Sequence, residues 1–443
     1  MKLFLKLRTT HYFLLLFFAS LCIYLAGIYR VRSIFWGDSL YYYAYTRSIV
    51  VDQDIDFQNQ AFDSQLGFPN PAEVSEITGK VTNKFSPGTA VFWIPGLIVG
   101  QALSYVANAV AGYELLAIDG SSIVSQLSVA VTALLYSIFG LWFIYKTLNI
   151  WFSTAVSTLS ILSLFLNTQL FYYTAMDPVN SHSVSFFLAA LLLFQFSKLL
   201  RSTVTWQQII PMGVTAGALA LVRNQDVIIG GVVLLAVFLI EKRSNLLDKL
   251  NWATLFSGSA FIVCSLQLYF TVSLFGILGS PYLIRGETLS WFNPNFFRVL
   301  FTLENGLFVF APILLAAVIG LFGYAVRERK ELRKVFLQLK QENAPEKKML
   351  TNSKMLILVL ASILIFVLQL YVVASWAPEI IGGPYGSRMF VSILPFLSIG
   401  LALYIKFLQQ KLSQHSFYVL YILSTLAFFV SMIAQTFWML YRF

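Results

Sequence analysis

The chain has 443 residues, of which 58% are hydrophobic and 16% aromatic while only 11% carry charge; soluble domains average about 25% charged residues. That balance excludes a water-soluble globular protein, and apolar runs recurring from residue 11 to residue 441 leave no stretch for a separate soluble domain, so residues 1–443 are read as one membrane domain. The net charge of +10 does not argue for nucleic acid, because basic residues of polytopic proteins collect in cytoplasmic loops.

In chain order, the first apolar run covers 11–29 and follows Lys2, Lys6 and Arg8. It is long for the apolar core of a signal peptide and lacks a small-residue cleavage site, so it is read as an uncleaved first helix. Cys22 and Cys264 sit singly in apolar runs, which argues against a disulfide or a structural zinc site. The loop 30–87 follows. Its stretch Ser39–Val51 carries four tyrosines among aliphatic residues and suits an interfacial helix with aromatic anchors; Asp52, Asp54, Asp56 and Asp63 then form an acidic rim.

Residues 88–111 are apolar but broken by Pro95-Gly96, and either cross fully or form a re-entrant or peripheral helix, a choice that changes the side of every later loop. Further spans are expected at 121–145, 150–168, 179–197, 252–275, 306–326, 355–374, 389–405 and 417–441, with a shorter pair at 208–222 and 227–240. With 88–111 returning to its own side, the cytoplasmic segments hold 20 of the 30 Lys and Arg but 6 of the 20 Asp and Glu. The opposite parity would put the nine Lys and Arg of 327–354 outside, so the first is adopted. It gives eleven crossings, an inner amino terminus, and 327–354 as a basic cytoplasmic loop facing lipid headgroups. The short pair reaches only about 22 Å. Its turn, Arg223-Asn224-Gln225-Asp226, therefore lies below the outer surface, where charge is tolerated only in protein or in a hydrated cavity.

Four further polar clusters fall on the outer side: Trp36-Gly37-Asp38, Asn83 to Gly88, Tyr172 to His182, and Trp376 to Arg388. Each has a plain structural reading. Asp38 could cap the interfacial helix, and Asp177-Pro178 could open the helix that follows. Lys84 could snorkel beside Phe85. Arg223 and Asp226 could pair, His182 could be a satisfied helix-start histidine, and Arg388 could sit in a glycine turn with Gly382, Gly383 and Gly386.

Together these residues resemble the polytopic glycosyltransferases of the GT-C fold, in particular the bacterial aminoarabinose transferases and protein O-mannosyltransferases. Asp38 with Tyr41 and Tyr42 matches the aspartate and tyrosine-bearing helix of their first outer loop. Lys84-Phe85-Ser86-Pro87-Gly88 resembles their Lys-Pro-Pro motif, and Met176-Asp177-Pro178 their Leu-Asp-Pro motif. The segments 276–286, 304–312 and 382–388 also resemble those of bacterial members. Two positions depart: Ser39 stands where many relatives have a second carboxylate, and Asn83 where the aminoarabinose transferases have glutamate.

The resemblance implies an all-α membrane enzyme of the inner or plasma membrane with its site toward the periplasm or exterior. It would move a sugar from a polyprenyl-phosphate donor to a glycan, lipid or protein acceptor, with inversion. Asp38, or Asp177, would be the base; Lys84, Arg223 and Arg388 would hold the donor phosphate; Tyr41, Tyr42, Asp226 and His182 would line the substrate. No metal ligands are assigned, a divalent cation being the one cofactor left open. The competing class is a secondary transporter or flippase using Arg223 and Asp226, which would bring inverted repeats; the sequence shows none.

Overall fold

The computed structural model of the chain describes residues 9–62, 73–240, 246–330, 351–376 and 385–413, with 416, 422 and 426. The last expected span, most of the basic loop 327–354, and Asp63, Gly382 and Gly383 lie outside the described residues. Among the described residues there is no β-strand, and two isolated bridges, Val74–Val81 and Leu289–Trp376, tie loops together.

Helix α1 (Thr9–Val31) is followed by α2 (Asp38–Arg47), which runs on into one π turn, and by short α3 (Gln58–Phe62). Next come α4 (Gly88–Ala111), α5 (Ile123–Trp151), α6 (Thr154–Leu166), α7 (Leu170–Ala175) and α8 (Ser181–Leu199). The short pair is α9 (Trp206–Val222) and α10 (Val227–Ile240), joined by a 3-10 turn, and α11 (Leu246–Phe275) follows. Short α12 (Pro281–Ile284), α13 (Phe296–Phe301) and α14 (Leu307–Phe310) lead into α15 (Ile313–Arg327). The described chain ends with α16 (Thr351–Ser375) and α17 (Leu394–Lys411), the latter entered through a 3-10 segment, Arg388–Ile393. Seven of the described helices are long and apolar enough to cross a membrane, and four shorter ones are apolar.

The centre of the bundle is α8 with the 388–411 segment, whose apolar windows are each 72% buried, against 11% for α1. These two helices are therefore posts that carry whatever sits at their ends. Their far ends gather cations over aromatic faces: Lys198 over Phe194 and Lys406 over Phe152 at 5.5 and 5.9 Å, joined by Lys146 over Trp142 and Arg201 over Trp151. Arg201 also donates to the carbonyl of Ile150. Long cationic side chains resting on rings mark a headgroup-level band.

Where helices cross closely, glycine removes the obstacle. Gly400 on α17 and Gly320 on α15 lie against each other's helix, where a Cβ would meet the Ala317 and Gly400 carbonyls. Membrane helices depend on such small residues because lipid supplies no hydrophobic drive to association. Gly400→Leu is expected to abolish recovery of monodisperse protein in size-exclusion chromatography, whereas Gly231→Ala, where a Cβ meets nothing within 4 Å, should behave as wild type. Equal recovery of both would refute the packing argument.

Two differences from the sequence reading concern α2 and α4. The tyrosines of α2 do not anchor in headgroups: Tyr42, Tyr43 and Tyr45 are buried in protein, with Tyr43 stacked on Phe35 at 4.3 Å and Tyr45 edge-on to Phe57 and Phe270. Their hydroxyls donate to backbone, Tyr43 to Gly120 and Tyr45 to Asn83, so burial leaves no unpaired group. Helix α4 is unbroken through Pro95. Its 24 residues are long enough to cross; its start and the loop after it are both bonded to α2. Thr46 Oγ1 donates to the Ala90 carbonyl near its start. After its end, residues 112–122 fold back so that Arg47 Nε donates to the Asp119 carbonyl at 2.7 Å.

Candidate active site

The near ends of α8 and of the 388–411 segment border a cavity of about 280 Å³. Its wall includes Asp38, Tyr42, Lys84, His182, Arg223 and Arg388, six of the nine residues singled out from sequence.

Asp38 is placed by a glycine turn. Gly37 has φ +53°, a left-handed conformation that glycine adopts freely, and Ser39 Oγ both donates to the Trp36 carbonyl and accepts from its N–H. Ser39 thus serves the turn where many relatives place a second carboxylate. Asp38 is the first residue of α2, not its cap, and makes no capping bond. Its carboxylate Oδ2 accepts from Arg388 Nη1 at 2.8 Å, with both side chains partly exposed to the cavity. Arg388, expected among the phosphate ligands, lies on the cavity wall ion-paired with Asp38.

Lys84 reaches the cavity between the rings of Phe85 and Tyr282, 5.7 and 5.8 Å from their centroids, and donates to Glu287 Oε1 at 2.8 Å. It is an ion-paired wall residue, not a snorkelling one. Before it, Asn83 braces the loop: its amide donates to the Tyr41 carbonyl and accepts from the Phe85 N–H. A second ion pair, Arg285 with Glu73, and a bond from Arg285 to Thr82 fasten the first loop to the segment after α11.

Arg223 follows α9 in extended conformation and projects into the cavity. Its Nη1 donates to Ser181 Oγ at 3.2 Å and lies 2.9 Å from His182 Nδ1, and Nη2 contacts the Met389 sulfur. A guanidinium only donates, so His182 accepts through Nδ1 and keeps its proton on Nε2. Among the described residues no carboxylate lies within 4 Å of Arg223. Of the three cations on the cavity wall, it alone is left without a paired anion among the described residues.

The other three residues lie off the cavity. Asp226 is wholly buried, its oxygens accepting from Ser185 and Ser392, so it joins three helices and cannot meet substrate; it does not pair with Arg223. Tyr41 packs its ring on Phe85 at 5.1 Å behind Lys84. Asp177 is 2% exposed behind the wall and caps nothing, since α8 begins at Ser181 with Asn180 as its cap. Asn180 Nδ2 donates weakly to Asp177 Oδ2 at 3.4 Å, Oδ1 has no partner, and burial pushes the carboxyl up to about 7. Among the described residues no three His, Cys, Asp or Glu side chains converge.

Sequence reading missed Glu287, and it touched Tyr282 and Trp376 only as members of the segments 276–286 and 376–388 without assigning them to the site. Glu287 stands alone in a loop, and its partner Lys84 is 203 positions away, so no local spacing announces the pair.

No protein-family model matches the chain, and a search of curated proteins finds no relative. Solved structures do match. ArnT from Cupriavidus metallidurans bound to undecaprenyl phosphate aligns with 92% of this chain and 61% of its own, at 14% identity and TM-score 0.51. The Archaeoglobus fulgidus oligosaccharyltransferase in its apo form aligns with 98% of this chain and 56% of its own, at 12% identity and TM-score 0.52. The same organism's AglB, in complex with an inhibitory peptide and a dolichol-phosphate, aligns with 96% and 54% at TM-score 0.50. The chain has the GT-C fold. It is a multi-pass membrane protein spanning a little more than half the length of these GT-C neighbours.

Proposed function

We propose that this GT-C protein is a glycosyltransferase that moves a sugar from a polyprenyl-phosphate donor to an acceptor hydroxyl on the extracytoplasmic face. The observation that carries the reading is the pairing pattern of the cavity: a carboxylate fixed by Arg388 faces the same space as Arg223, a guanidinium with no carboxylate partner among the described residues. The cation band at the opposite ends of α8 and α17 supports an inner location for that end, and so an outward cavity. The bound lipid phosphates of two structural neighbours support the donor class.

The chemistry follows from charge. The acceptor oxygen attacks the anomeric carbon while Asp38 takes its proton, and the bond to the phosphate oxygen breaks with its electron pair going to phosphate. A single displacement inverts the anomeric centre. The lipid phosphate gains one negative charge as it leaves, and preorganised donors from Arg223 and Lys84 stabilise that charge. His182 and Ser181 hold Arg223 in place for this role.

Arg223→Gln is expected to weaken binding of undecaprenyl phosphate by roughly tenfold to a hundredfold, the usual worth of a charge-assisted hydrogen bond. Binding of wild type and variant to the lipid in detergent checks it. Equal affinities would remove the phosphate assignment, and wild-type protein that binds no undecaprenyl phosphate would end the functional reading.

A further inference from the structure

Glu287 and Trp376 line the cavity, and each has a polar atom just beneath its surface without a hydrogen-bond partner: Glu287 Oε2, an acceptor, and Trp376 Nε1, a donor. Buried polar atoms are normally paired, and an orphan of each kind beneath the wall of one cavity suits a ligand that both donates and accepts, reached by a turn of the Glu287 carboxylate and the Trp376 ring toward the cavity. A sugar hydroxyl does both.

The two residues belong to one construction. After α12, Gly286 at φ +82° turns the chain, the Glu287 N–H donates to the Tyr282 carbonyl at 3.0 Å, and the bridge Leu289–Trp376 joins this segment to the end of α16. The ring of Tyr282 stands between them, edge-on to Trp376 at 6.1 Å and 5.8 Å from Lys84 Nζ. Two aromatic rings beside a carboxylate present apolar surface to ring C–H groups and polar atoms to hydroxyls.

Lys84 sets the location. Its ammonium has three donors and gives one to Glu287 Oε1, leaving the others for a phosphate. A phosphate on Lys84 and a hydroxyl on Glu287 Oε2 would then be separated by two hydrogen bonds and the width of a carboxylate. That spacing suits a hydroxyl close to the anomeric carbon of a sugar joined to the same phosphate.

We infer that Glu287, Trp376 and Tyr282 form the subsite that reads the transferred sugar. The inference rests on the lipid-phosphate reading of the cavity and deepens it. Lys84 and Arg223 bind any polyprenyl phosphate, whereas Glu287 and Trp376 respond to the sugar it carries. Glu287 is thus a specificity residue, and its ion pair with Lys84 holds the sugar and phosphate positions in register.

The test separates the two contributions. Dissociation constants are measured for bare undecaprenyl phosphate and for undecaprenyl phosphate carrying glucose, mannose, N-acetylglucosamine or arabinose, with wild type, Glu287→Gln and Trp376→Phe. The wild type should bind one sugar-bearing lipid more tightly than the bare lipid. Glu287→Gln should cut that preference about tenfold or more, and Trp376→Phe, which keeps a ring and removes the N–H, by about threefold to tenfold. Trp376→Phe should leave bare-lipid binding unchanged, and its thermal midpoint verifies folding if Glu287→Gln is poorly folded.

A wild-type preference that survives both substitutions overturns the subsite, as does wild type that binds the bare lipid and gains nothing from any of the four sugars. Wild type that binds neither bare nor sugar-bearing lipid instead overturns the lipid-phosphate reading itself.

Discussion

Asp38→Asn will lower sugar transfer by roughly 10²- to 10⁴-fold, the range associated with loss of a positioned general base. Asparagine keeps the size of the side chain and an oxygen that accepts from Arg388, so the geometry recorded by the 2.8 Å ion pair is preserved while basicity is lost. Removing the negative charge also leaves Arg388 uncompensated beside the phosphate position. Binding of undecaprenyl phosphate should consequently hold or tighten while turnover falls, a split that misfolding would not give. The measurement is product formation by mass spectrometry with purified protein in lipid vesicles, alongside lipid binding. Turnover equal to wild type would show that another group removes the acceptor proton.

The second large effect is on stability. Burial raises the Asp177 carboxyl from an ordinary 3.8 to about 7, with no charged partner in hydrogen-bond contact to offset it. The sign is fixed by proton counting: between these values the folded protein binds more protons at this group than the unfolded chain, so stability falls as pH rises from about 4 to 7 and then levels. The shift corresponds to about 4 kcal/mol at most, at 1.36 kcal/mol per pH unit. Asp177→Asn lacks the penalty. Its thermal midpoint should match wild type near pH 4.5 and exceed it by several degrees at pH 8. A difference that stays constant across this range would show that Asp177 is not protonated in the fold. The same substitution tests catalysis, since a carboxyl behind the cavity wall should leave transfer near wild type.

The fold was largely readable because hydropathy in a membrane chain is a strong local signal. The predicted run 88–111 coincides with α4, and the short legs around Arg223–Asp226 became α9 and α10 with a one-turn connection. Helix α4 continues through Pro95 because a proline inside an apolar helix costs one backbone bond, which surrounding protein tolerates without ending the helix. The site was readable where residues are consecutive, as at Gly37-Asp38, and obscure where it depends on distant pairing. Asp226 and Arg223 are three positions apart and looked like partners. In space the carboxylate faces the hydroxyls of Ser185 and Ser392. Glu287 and Arg388 acquire their meaning from Lys84 and Asp38, 203 and 350 positions away.

The Asp38–Arg388 pair has a bearing on biogenesis. The carboxylate is made well before its guanidinium, with 350 positions of chain between them. A nascent chain that has not yet reached residue 388 carries Asp38, Lys84 and Arg223 and still lacks the cation that pairs with Asp38.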